Sequence, residues 1–468
     1  MVSVDTATLP HPPRRLPLLG DVVGVNRNTP IQSTLGRIRD LGPISVRKVL
    51  GTEIITVGGA ELAGELADET RFCKYVGLHL PPLRHIVGDA LFTAENDEPN
   101  WQLAHDILAP AFTRDAMSGY HSTMVEVARE LLARWDLAAN QGERVDVSAD
   151  MTRLTMETIG RAGFGYRFGS FESERPHPFV TAMNRALRHS RMSVIIPWRP
   201  ARRVLGSSDV QYHADVATMN GVVDEVIQAR RDDPACDTSD LLGLMLRTAH
   251  PETGRRLDPV NIRQQVITFM IAGHETTSGA LSFALYYLTR HPGALAQAQA
   301  EVDALWGEAA DPEPRFGDIA KLRYVRAALD EALRLWPTAP AYLRAARTDT
   351  VLGGRYRMNK GDWAMVFLPL LHRDPTVWPE PDRFDPDRFA PGHAKSRPAH
   401  AYKPFGTGQR ACIGRQFALH EAVLALGLVL HRYDLDAPDD YELRIAESLT
   451  LKPEGFELLV RRRPSTQG

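Results

Sequence analysis

The sequence predicts a mainly α fold with small β-sheets, built as one domain over residues 1–468. Two patterns carry that reading. From Trp101 onward apolar residues recur at helical spacing, as in Met124-Val125-Glu126-Val127-Ala128-Arg129-Glu130-Leu131-Leu132-Ala133-Arg134-Trp135. Runs rich in Val, Ile and Thr are few, and the clearest, residues 44–57 with Gly51 between its halves, reads as a hairpin after a Pro-rich start. Residues 231–239 and 250–256 gather Pro, Gly, Asp and Thr and read as loops between helices, so no boundary divides the chain. A long apolar helix is expected over residues 264–289, interrupted at Ala272-Gly273-His274-Glu275-Thr276-Thr277. Pro, Asp and Arg crowd residues 373–397, a meandering segment before a helix that begins near Gln416.

Composition narrows the function. Hydrophobic residues at 43% and charged residues at 24% suit a globular protein with a large core rather than a disordered one. A net charge of -3 argues against a nucleic-acid binder, which would carry a strongly basic face. The three cysteines, Cys73, Cys236 and Cys412, lie far apart without CxxC spacing, which points away from disulfides and zinc and toward a cytoplasmic location. The first residues hold no long apolar run, so neither a signal peptide nor a membrane anchor is expected.

Polar groups inside an apolar helix are costly unless bonded or used, so the 272–277 segment calls for a function. Ala272 and Thr276 share a helical face, although a threonine there commonly bonds back to its own helix. The sharpest constellation is Phe405-Gly406-Thr407-Gly408-Gln409-Arg410-Ala411-Cys412-Ile413-Gly414, a glycine-rich loop ending in a cysteine at a helix start. Glycines admit a flat group against the backbone, and amides at a helix start lower a thiol pKa toward metal ligation. Cys73 and Cys236 lack such flanks and read as inert thiols. Glu331 and Arg334 share a face at i, i+3, a spacing that on its own marks a solvated pair worth ~0.3 kcal/mol.

Phe405, Gly408, Arg410, Cys412 and Gly414 resemble the cysteine-loop signature of the cytochromes P450. The resemblance implies a P450 fold with heme b, Cys412 as the iron ligand and Arg410 at a heme propionate. It makes Ala272 to Thr277 the oxygen-activation motif, with Thr276 and Glu275 supplying the protons that O–O cleavage requires. Glu331, Arg334 and Arg388, the last within Pro386-Asp387-Arg388-Phe389, resemble the family's structural charge triad and belong to folding. Trp101 and His105, one turn apart, resemble its propionate-binding helix. Arg344 sits where many members place another propionate arginine, a surface role being the alternative, and His372 is a weaker candidate.

Long stretches are further similar to the heme domain of self-sufficient bacterial fatty-acid hydroxylases, which are fused to a diflavin reductase. By that likeness Phe92 is an aromatic gate over the heme, with Val87, Ala272, Ala339 and Pro340 as pocket neighbours. Two departures follow. The hairpin that supplies an arginine and a tyrosine to hold a fatty carboxylate reads Gly51-Thr52-Glu53-Ile54-Ile55-Thr56 here, with a glutamate that would repel an acid. Arg185, Arg188, Arg191, Arg199, Arg202 and Arg203 cluster with His189 and no acid among them, a surface for an anionic substrate, a carrier protein or plain solvent. The expected reaction is insertion of one oxygen atom from O₂ into an apolar small molecule, by hydroxylation or epoxidation, with a fatty acyl compound and a natural-product intermediate as equal substrate classes. No reductase domain follows the last family-like strand. Electrons come from a ferredoxin or flavoprotein reductase, or the chain is the excised heme domain of a fusion. A peroxide-driven peroxygenase and a non-catalytic heme sensor or electron carrier stand as alternatives.

Overall fold

The computed structural model describes residues 8–77, 80–173, 175–195, 208–232, 240–307 and 309–464. Its main helices are α1 (Pro30–Ile38), α2 (Pro99–Leu108), α3 (Arg114–Gln141), α4 (Val147–Phe164), α5 (Pro178–Ile195), α6 (Asp209–Asp232), α7 (Pro259–Arg290), α8 (Arg323–Leu335) and α9 (Arg415–Arg432). Local chemistry sets their ends. Thr113 and Asp146 accept from the Ala116 and Ala149 amides to start α3 and α4, which stop at Gly142 (φ 66°) and Gly165 (φ 61°). Asp258 accepts from the Val260 and Asn261 amides at 2.9 and 3.0 Å, with Pro259 at the first helical position, to start α7.

α7 runs unbroken through the polar residues 272–277, as one long helix was expected to. Its polar side chains bond to the preceding turn, His274 Nδ1 to the Met270 carbonyl at 2.6 Å and Ser282 to Ser278 at 2.7 Å, so the helix keeps its ladder. Ile267, Leu281, Phe283 and Leu285 are fully buried, and the Thr155 hydroxyl of α4 donates to the His274 carbonyl at 3.0 Å, fixing α4 against α7.

The largest sheet has five strands, β1 (Ile44–Val49), β2 (Thr52–Val57), β3 (Phe72–Lys74), β4 (Ala341–Ala346) and β5 (Trp363–Phe367), in the spatial order β1-β2-β5-β4-β3. The predicted hairpin is β1 and β2, turning at Leu50 and Gly51, both with positive φ. A later hairpin pairs β6 (Ile445–Glu447) with β7 (Leu451–Pro453).

Arg334 of α8 is fully buried and makes two bonds to Glu331 at 2.6 and 2.8 Å. Its remaining N–H groups donate to the carbonyls of His372, Pro381 and Arg383 at 2.8, 2.7 and 3.1 Å, and Trp378 lies 5.0 Å beneath it. Glu331 also accepts from the Asp385 amide at 2.9 Å and lies 3.4 Å from Arg388. One ion pair thus ties α8 to the irregular 372–389 segment. Removing one partner of a buried pair leaves a bare charge, so Glu331→Gln is expected to lower unfolding free energy by about 3–5 kcal/mol in a denaturant titration.

Glu421 of α9 is buried, and its Oε1 has no hydrogen-bond partner. Burial pushes its carboxyl up to about 8, with the Thr158 hydroxyl pulling the other way. A carboxyl raised in the folded state is protonated there and ionised when unfolded, so stability falls as pH rises from about 4 to about 8. Glu421→Gln is expected to remove that loss. Melting curves should show Glu421→Gln above the parent by at least about 2 °C at pH 9 and level with it at pH 4.

Candidate active site

Within the buried length of α7, Ala272 is exposed and Thr276, one turn on, is half-buried, so one strip of the helix faces open space. The Thr276 hydroxyl donates to the Ala272 carbonyl at 2.8 Å. Glu275 points elsewhere, since successive helical residues are rotated by about 100°. Its carboxylate is 4% exposed, accepts from the Thr450 hydroxyl at 3.0 Å, and lies 3.6 Å from Lys452 and 3.3 Å from His274 Nε2. Burial opposes its charge, but Lys452, His274 and Thr450 together hold its pKa below the usual carboxylate range. Glu275 and Thr276, both expected to supply protons, thus face different partners. Glu275 is an ionised group bound to the β6–β7 hairpin, because Lys452 offers it a countercharge that Thr276 cannot.

The cysteine loop is closed by its own backbone, with the Cys412 amide donating to the Phe405 carbonyl at 2.9 Å and the Ala411 amide to Gly408 at 3.0 Å. Gly408 has φ 72°, and a Cβ there would stand 2.3 Å from Glu69 Oε1, which accepts from the Gln409 amide at 2.9 Å. A Cβ on Gly414 would meet no protein atom nearer than the Phe112 ring at 3.7 Å, so a flat group against the loop is what favours glycine there. The Cys412 thiol is exposed to a water-sized sphere although protein surrounds it. Burial raises its pKa, outweighing the Gly414 amide and the Arg415 charge, which lower it.

Three cations gather at this loop. Arg410 donates to the Ala94 carbonyl at 2.6 Å and lies 4.7 Å over Trp101, which stacks on His105 at 5.1 Å. Arg344, 3% exposed, donates to the Thr407 carbonyl at 2.9 Å and is 3.8 Å from Glu69, which removes the surface role left open for it. Lys74 of β3, in register with Arg344, donates to the Phe92 carbonyl and sits 5.1 Å over the Phe92 ring. Burial lowers all three pKa values, Arg410 to about 10, and Lys74 and Arg410 are lowered further by a facing guanidinium. Lys74 carries no motif. A lysine ending a three-residue apolar strand was its one signal.

Desolvated like charges need a ligand with anionic arms. Heme b, a planar tetrapyrrole with two carboxylates and a central iron, fits this donor set: the Cys412 thiol, the glycine-lined loop, the cations Lys74, Arg344 and Arg410, and N–H donors on Trp101 and His105. Of the expected pocket residues, Phe92 is 41% exposed, Ala339 exposed and Pro340 half-buried. Val87 is 1% exposed and packs within the main core.

Other expectations fare unequally. Glu53 is 3.5 Å from Lys48, so its charge is offset rather than free to repel an acid. Arg185 is held by two oxygens of Asp215, and His189 lies 3.4 Å from Asp209, so α6 supplies the acids absent from that stretch of sequence. Arg188 is exposed, whereas Arg199, Arg202, Arg203 and the Arg191 side chain lie outside the described residues. His372 is buried with Nε2 accepting from the Lys403 amide at 3.0 Å, a structural role that keeps it neutral, burial pulling its pKa to about 3.

Comparison with known proteins agrees with this geometry. A family model described as Cytochrome P450 matches residues 10–460. A bifunctional cytochrome P450/NADPH–P450 reductase of Bacillus cereus is 44% identical over 98% of this chain and 43% of its own length. The self-sufficient cytochrome P450 monooxygenase CYP505E3 of Phanerodontia chrysosporium is 39% identical over 96% of this chain and 42% of its own length. This chain thus spans less than half of such relatives. A crystal structure of the cytochrome P450DA heme domain superposes with a TM-score of 0.92 at 44% identity, covering 99% of both chains. With the cysteine loop, the cations around it and the open strip of α7 all in place, the chain belongs to the cytochrome P450 family.

Proposed function

We propose that this chain is the single heme-binding domain of a monooxygenase that inserts one oxygen atom from O₂ into an apolar organic substrate. The observation that carries the reading is the Cys412 thiol in a glycine-rich loop, with Arg344 bonded to the loop's Thr407 carbonyl and Arg410 of the loop itself lying over Trp101. Relatives named as P450/NADPH–P450 reductases support a flavoprotein as electron source, either fused to this domain or separate, with a ferredoxin as the other class of donor. No helix among the described residues is long and apolar enough to cross a membrane, and the scattered cysteines support a cytoplasmic location.

Heme bound at Cys412 supplies O₂ activation and the oxygen transfer itself. The protein supplies position, charge and protons. Lys74, Arg344 and Arg410 would hold the propionates, with Trp101 and His105 as hydrogen-bond donors. The Thr276 hydroxyl, which donates to the Ala272 carbonyl, would be the proton donor on the open strip of α7. Glu275, held 3.6 Å from the Lys452 ammonium, would relay a proton only from its protonated form. Phe92, Ala339 and Pro340 give the substrate an apolar wall that excludes water. An anionic carrier at the arginine-rich 185–203 segment would have to use Arg188 and residues beyond the described range, since Asp215 holds Arg185.

Cys412→Ser is expected to abolish the thiolate signature in the reduced carbon monoxide spectrum, and a parent-like spectrum would refute the ligand assignment. Thr276→Ala should keep that spectrum while diverting electrons to hydrogen peroxide, lowering product per NADPH by roughly tenfold or more. Heavy-isotope O₂ must appear in the product. Label arriving only from added peroxide would make the protein a peroxygenase, and heme binding without product from any substrate would make it a sensor or carrier.

A further inference from the structure

A cavity of about 270 Å³ lies where the end of α6, the short helix Leu241–Arg247 and the start of α7 meet. Four arginines line it: Arg230, Arg231, Arg247 and Arg256. Arg230 is its fixed floor. It is buried, binds both oxygens of Asp240 at 2.8 and 2.6 Å and donates to the Phe164 carbonyl at 2.8 Å. Arg231, Arg247 and Arg256 are exposed, and none of them has an ion pair or a hydrogen bond among the described residues. Leu246, Leu257 and Ile262 form an apolar wall behind them.

The acids of the surrounding elements are engaged elsewhere. Asp224 is held by Arg263 at 2.6 and 2.8 Å, and Asp232 accepts from the Gln228 amide group at 2.9 Å. Asp240 is taken by Arg230 and by the Gly243 amide, and Asp258 by the amides of Val260 and Asn261. Glu252 lines a different cavity, with Arg255. With Arg230 balanced by Asp240, three uncancelled guanidinium groups from three separate elements share one small space. Solvent screening lets such charges stand together until an anion enters.

We propose that this cavity binds a diphosphate group, free or carried by a nucleotide. A carboxylate presents its two oxygens in one plane and satisfies one guanidinium fork, whereas these forks converge from three directions. Two linked phosphoryl groups offer acceptor oxygens all round, with about three negative charges to match three cations. The volume is below the roughly 300 Å³ at which sites for drug-sized ligands begin, so the diphosphate fills it and a nucleoside would stand at the mouth. Ile262 is roughly 21 Å from Thr276 along α7, so this site is separate from the open strip and does not rest on the monooxygenase reading. A ligand joining α6, the short helix and α7 binds only the folded chain and raises its melting temperature.

The test is calorimetric titration of the heme-loaded protein at low salt with inorganic diphosphate, ADP and sulfate. Diphosphate should bind at one saturable site at least roughly tenfold more tightly than sulfate and raise the melting temperature. Arg247→Gln and Arg256→Gln should each weaken it by roughly tenfold or more. Arg247→Lys, which keeps the charge and loses the fork, should fall between parent and Arg247→Gln. Arg255→Gln, an exposed neighbour outside the cavity, should stay within about twofold of the parent. These side chains are exposed, so the unliganded variants should melt with the parent. Tighter binding of ADP than of diphosphate identifies a nucleotide as the source, and equal or weaker binding identifies free diphosphate. Equal affinity for sulfate and diphosphate means an adventitious ion only and overturns the site. So does a loss in Arg255→Gln as large as in Arg247→Gln, which marks diffuse surface charge, and so does the lack of saturable binding by either phosphate ligand.

Discussion

The buried pair of Glu331 and Arg334 is the constraint on which the active site depends. The segment it grips, residues 372–389, is mostly irregular and precedes the short helix Pro391–Ser396 and the cysteine loop. Arg334 supplies donors to three of its carbonyls and Glu331 accepts one of its amides. Such a pair gains little net stability over apolar packing, because both ions must leave water. What it adds is specificity: an irregular chain is held in one path, and Cys412 arrives at a fixed place opposite α7. Trp378, between Arg334 and Arg397 at 5.0 and 4.1 Å, keeps that junction dry on both faces.

Much of this was legible in the sequence because it is local. The cysteine loop needs glycine at particular φ values, and Ala272 and Thr276 need only helical spacing to share a strip. The β1–β2 hairpin and the long α7 were equally readable from periodicity. The polar letters inside α7 leave the helix whole because His274, Thr276 and Ser282 bond their side chains to the turn before them.

What escaped the sequence was relational. Glu275 reads as a neighbour of Thr276, but its partners lie some 175 residues on, in Thr450 and Lys452. Cys412 reads as an activated thiol until burial is weighed against one amide. Arg185 and His189 look uncompensated because Asp215 and Asp209 arrive from a different helix. Lys74 is an unremarkable letter on a short strand, and only its position beside Phe92 and Arg410 marks it out.

Those desolvated cations suggest how the protein couples binding to structure. In water a guanidinium loses nothing by lacking a counterion, whereas beneath Trp101 it keeps its charge at an energetic cost that an incoming carboxylate relieves. At the cysteine loop the relief would come from heme propionates and, for the raised thiol, from iron, so cofactor binding and ordering of the loop would favour one another.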